Sequence, residues 1–185
     1  MIEKFGNLLA RKKLAVFAVL AVVFLLLLVF FTRNIINILV VILLMVLGSF
    51  STYYKRRLGV PLGGFELVTF GTVVTGILYG PVVGGLFGAI SLTASSVLSA
   101  DISPMTLLGV LATGLGGVIA GLLNGSVFFI GMLVTAEILI LSQSVSFVIG
   151  DGEIKATAVI YIVTNMLTNI ALFATLGPLV VSWLA

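Results

Sequence analysis

Seven apolar segments, residues 14–31, 35–54, 65–79, 81–98, 104–123, 126–148 and 156–175, follow one another with very little chain between them. A short apolar tail, 179–185, comes after Gly177-Pro178, the longest connection is 55–64, and the clearest polar turn is Gly150-Asp151-Gly152-Glu153. A helix needs about 20 apolar residues to cross a hydrocarbon core of about 30 Å. With 61% hydrophobic and 8% charged residues, the chain has too little polar surface for a water-soluble domain. The expectation is a single all-α integral membrane domain over residues 1–185, a compact bundle of six to seven transmembrane helices.

The net charge of +3 invites a nucleic-acid reading. The basic residues argue against it, because they flank apolar spans and form no patch with interleaved aromatics. With the N-terminus in the cytoplasm and all seven segments spanning, Lys4, Arg11, Lys12, Lys13, Lys55, Arg56, Arg57 and Lys155 lie inside. Only Arg33 lies outside, so the positive-inside rule favours this orientation in the cell membrane and an outer C-terminus. Segment 14–31 follows Arg11-Lys12-Lys13 as a signal peptide would, but no small-x-small cleavage site follows, so it reads as a retained helix.

Segment 65–79 is short. About 15 residues rise about 22 Å as a helix, which suits an earlier start near Val60 or a short helix beside a cavity. Two ladders of small residues stand out at a spacing of four: Thr72, Gly76, Gly80, Gly84, Gly88, and Gly109, Thr113, Gly117, Gly121, Gly125. Such stripes let helix backbones approach closely in lipid. They are read as packing faces, with docking onto another subunit as the alternative. Pro81 interrupts the first ladder and marks a turn at Tyr79-Gly80-Pro81.

Enzyme chemistry is not expected. The chain has no His and no Cys, no Gly-x-Ser-x-Gly elbow and no phosphate loop, and no cofactor is implied. Of the six acids, Glu3, Asp151 and Glu153 read as solvated charges at ends or in a loop. Asp101 reads as a cap before Ser103-Pro104, and Glu66 as either a first-turn acid or the rim of a cavity. Glu137 is different, being the only charge in 126–148. A carboxylate at bilayer depth costs about 2.5–3.5 kcal/mol on insertion scales. It suits an interhelical hydrogen bond, binding of a ligand or cation, or proton coupling. Asn165 and Asn169 share a face with Tyr161, and Gln143 lies between Ser142 and Ser144. Glu137, Gln143, Tyr161, Asn165, Asn169 and Glu66 are therefore the candidate substrate-binding residues. Gly76, Gly80, Gly84, Gly88, Gly109, Gly117 and Gly121 are the candidate packing residues.

The run Gly80-Pro81-Val82-Val83-Gly84-Gly85-Leu86-Phe87-Gly88, with Gly117–Leu123 after it, resembles helices of the substrate-binding S components of energy-coupling factor (ECF) vitamin transporters. The resemblance covers residues 35–184 in size and helix pattern, and 65–123 in motif. It implies a six-helix core over 34–185, with 1–33 as an extra N-terminal helix. It also implies capture of a small vitamin-like solute and a transmembrane coupling protein with ATPase subunits as partner. The alternative is a scaffold or sensory module acting through helix contacts in the lipid bilayer.

Overall fold

The computed structural model describes residues 22–25, 35–58, 67–100 and 102–184. Among the described residues six helices follow in order: α1 (Ile35–Leu58), α2 (Leu67–Tyr79), α3 (Pro81–Leu98), α4 (Pro104–Leu122), α5 (Val127–Ile149) and α6 (Gly152–Leu184). No strand occurs among the described residues. Helices α3 to α6 are each long and apolar enough to cross a membrane. The segment read at 14–31 lies outside the described residues except for helical residues 22–25, and Glu3, Glu66 and Asp101 lie outside them entirely.

The shortest helix holds the centre. At 13 residues α2 rises about 20 Å, and every residue from Val68 to Gly76 is buried. It packs against all five other helices. A helix apolar on all sides belongs in an interior, and two of the buried hydroxyls of α2 are satisfied within the helix. Thr72 donates to the Val68 carbonyl and Thr75 to the Gly71 carbonyl, both at 2.7 Å. Phe87 lies against Gly71, where an added Cβ would sit 2.5 Å from its ring.

Gly80 alone separates α2 from α3. Its φ of 87° lies in the region that glycine enters at no steric cost, and Pro81 begins the next helix with a fixed φ and no donor to lose. The corner folds α3 back on α2 so that Gly84 faces Gly76, and α4 closes on both. A Cβ on Gly76 would lie 2.7 Å from the Gly117 carbonyl oxygen, and one on Gly84 would lie 2.6 Å from the same atom. A Cβ on Gly117 would run into the Gly84 carbonyl, and one on Gly121 into Pro81. Further along, Gly88 meets the Thr113 backbone, and the Thr113 hydroxyl reaches the Gly88 carbonyl at 3.2 Å. Gly109 is looser, with Leu92 Cδ2 at 3.1 Å from its virtual Cβ. The two ladders face each other, and at these glycines they offer no free stripe to another subunit.

The bundle is small inside and large outside. On α4 the inner face carries Gly109, Ala112, Thr113, Gly116, Gly117 and Ala120, while Leu107, Leu111, Leu115 and Leu122 point outward. That arrangement suits lipid, where close backbone contact replaces a hydrophobic driving force.

Caps define the helix starts. Ser103 and Thr106 form a reciprocal capping box on α4, Ser126 accepts from the Phe129 N–H, and Asp151 Oδ1 accepts from the Ile154 N–H at 2.9 Å. The last helix departs from the sequence reading at both ends. It starts at Gly152 rather than 156, so Gly152 and Glu153 belong to its first turn rather than to the polar turn. It also runs through Pro178 to Leu184. Proline is tolerated in membrane helices because neighbouring groups satisfy the freed carbonyl, so Gly177-Pro178 does not end the element. The 33 residues span about 50 Å, which exceeds a hydrocarbon core.

Candidate solute cleft

The α5–α6 pair carries Glu137, Gln143, Tyr161, Asn165 and Asn169, and the fold sorts them into three places. The first is the seam between α4 and α5. Glu137 projects there onto Gly116, and a Cβ on Gly116 would lie 3.0 Å from Glu137 Oε2 and 2.8 Å from Val134 Cγ1. Gly116 therefore makes the space that the carboxyl group occupies. Both carboxyl oxygens are buried and neither has a hydrogen-bond partner among the described residues. An unpartnered acid in such a place is costly.

The second place is the inner face of α6. Asn165 and Asn169 are buried there, 3% and 1% exposed, and bonded to each other through Asn169 Nδ2 to Asn165 Oδ1 at 2.8 Å. Asn169 Oδ1 is buried without a partner. One turn further on, Phe173 fills the space left by Gly131 of α5 and meets Phe70 of α2 with ring centroids 5.5 Å apart. This tight contact fixes α6 against the core at that level.

The third place is open. Beyond Leu139 the two helices leave a cleft of about 410 Å³ lined by Gln143, Ser146, Glu153, Ile154, Thr157, Ala158 and Tyr161. Glu153, Thr157 and Tyr161 stand four residues apart and form one stripe of α6. Gln143 and Ser146 face them from α5. The antiparallel pairing follows from the tight connection at Gly150-Asp151. A second, almost wholly apolar groove of about 380 Å³ runs between Ala136, Leu139, Ile140, Phe147, Ile162 and Met166, and Gln143 lines that one too.

No protein family, curated protein or solved structure matches this chain. The site rests on its own chemistry.

Of the residues singled out in the sequence, the fold brings Gln143 and Tyr161 together in one cleft and Asn165 and Asn169 together in one hydrogen bond. Glu137 lines neither cleft, and Glu66 lies outside the described residues. Sequence reasoning passed over Ser146, Glu153 and Thr157. The signal was present as the four-residue spacing that carries 153 and 157 onto the face of Tyr161. It was hidden because Glu153 was assigned to a loop.

Chemically the cleft offers a carboxylate, an amide, the Ser146 and Thr157 hydroxyls and a tyrosine beside apolar side chains. Such a mixture binds and orients a small molecule.

Proposed function

We propose that this chain is a membrane subunit that binds a small organic solute in the cleft between α5 and α6. The observation that carries the reading is the convergence of Gln143 and Ser146 on Glu153, Thr157 and Tyr161 around about 410 Å³ of open space. The tight glycine core formed by α2, α3 and α4 supports it, because it supplies a rigid body against which the cleft is built. In this reading the N-terminus lies on the cytoplasmic side. The Gly80-Pro81…Gly84…Gly88 resemblance to ECF S components gives the mode of action: the solute is passed on by a coupling protein whose ATPase subunits supply the energy.

Thermal denaturation of the purified protein against a panel of vitamins and other small solutes tests the proposal. A ligand at about 100 times its dissociation constant adds about 2.7 kcal/mol of stability. At least one solute should raise the midpoint of the wild type and fail to raise that of a folded Gln143→Leu variant. A panel with no hit, or a hit that ignores Gln143→Leu, would count against this cleft.

One observation favours a second reading, a non-transport scaffold or sensory module. The outward leucines Leu107, Leu111, Leu115 and Leu122 give α4 an exposed apolar face that a partner helix would cover. In that case no solute shifts the midpoint, and polar substitution on that face disrupts an assembly with another membrane protein.

A further inference from the structure

We infer that the cleft between α5 and α6 takes a small organic cation, an amine or a quaternary ammonium, held between the Glu153 carboxylate and the Tyr161 ring. This rests on the reading of the cleft as a solute site and adds the charge of the solute.

The argument is a survey of the groups that face the space. Among the described residues Glu153 is the only charged one lining it, and no described Lys or Arg is present there. Lys155 is two residues further along α6, about 200° around the helix, and does not line the cleft. Asp151 has one carboxylate oxygen bound to the Ile154 N–H, so the positive end of α6 already has its cap.

Two of the donors that line the space are engaged locally. The Thr157 hydroxyl donates to the Glu153 backbone carbonyl at 2.9 Å. The Gln143 amide donates one N–H to Ser142 Oγ at 3.3 Å, and its carbonyl oxygen can accept from a ligand. The lining thus brings a carboxylate, an amide carbonyl and an aromatic ring, all electron-rich, to one space beside the Ser146 hydroxyl. An anion would meet uncompensated negative charge. A neutral solute would cover the carboxylate without replacing its water. An ammonium group pairs with the carboxylate and lies against the ring, where a desolvated cation is attracted by the quadrupole. Ile154 and Ala158 supply apolar surface for the carbon part of the ligand.

The test compares charge at constant shape. Choline and a series of alkyl- and arylalkylamines are each paired with an uncharged carbon or alcohol isostere and with a carboxylate of similar size. Binding is measured on the full chain in nanodiscs, for wild type, Glu153→Gln and Lys155→Gln. The expected result is binding of cations in preference to both partners. Glu153→Gln should weaken cations by about tenfold or more, and Lys155→Gln should leave them unchanged. Equal binding of neutral isosteres, or an undiminished cation response in Glu153→Gln, overturns the charge assignment and leaves the cleft standing. Absence of binding by every compound, whatever its charge, overturns the cleft as well.

Discussion

Adding one methyl at Gly117 drives it into the Gly84 carbonyl, and the obstacle is backbone, which cannot turn aside as a side chain can. Gly152, in the first turn of α6, has open space where a Cβ would go. The two positions therefore give opposite predictions. Gly117→Ala should lower stability by about 1–3 kcal/mol as overpacking. Gly152→Ala should raise it by up to about 1 kcal/mol through helix propensity. Thermal denaturation of both variants in one detergent checks the pair, and equal effects would refute the junction. Glu137 gives a third prediction. Its buried oxygens lack partners, so Glu137→Leu removes a desolvation cost and should keep or raise the denaturation midpoint. A sharp fall would mean that the carboxyl group has a stabilising partner. The importance of Glu137 was legible in the sequence as a lone charge. Its neighbour Gly116 was not, because a glycine carries no mark of which side chain it makes room for.

Elements were legible where lipid imposes a simple rule. Starts at Pro81 and Pro104 follow from proline's fixed φ, and the corner at Gly80 from the Gly-Pro pair. The short α2 was legible as an anomaly, since its length falls below a span. That it lies at the centre was not, because all-round apolarity reads the same whether lipid or protein surrounds it. Pro178 misled for a related reason: the rule that proline stops a helix belongs to water, and α6 continues through it. The four-residue spacing revealed two small-residue stripes. Their facing each other depends on the corner at Gly80, which no spacing within one helix records. The length of α6 yields a prediction of its own. The chain has no Cys, so a single introduced thiol reports alone. Leu167 is exposed on the protein surface, as is Gly152. In nanodiscs, a membrane-impermeant maleimide should label Gly152→Cys quickly and Leu167→Cys slowly or not at all. Equal labelling would contradict burial of the middle of α6 in lipid.

At the scale of the whole molecule, a tight body and an open edge divide the work. Helices α2, α3 and α4 meet backbone to backbone, and their precision comes from glycines. Helices α5 and α6 pack on that body through Gly131 and Phe173, then part to leave the polar cleft. The fold distributes the residues singled out in the sequence among a seam, a buried amide pair and an open cleft. The central claim is that solute binds in the cleft and not at Glu137. It is tested most directly by measuring equilibrium binding of the strongest solute in two folded variants, Tyr161→Leu and Glu137→Leu. The account predicts that Tyr161→Leu loses binding and Glu137→Leu retains it. Normal binding in Tyr161→Leu together with loss in Glu137→Leu would contradict it.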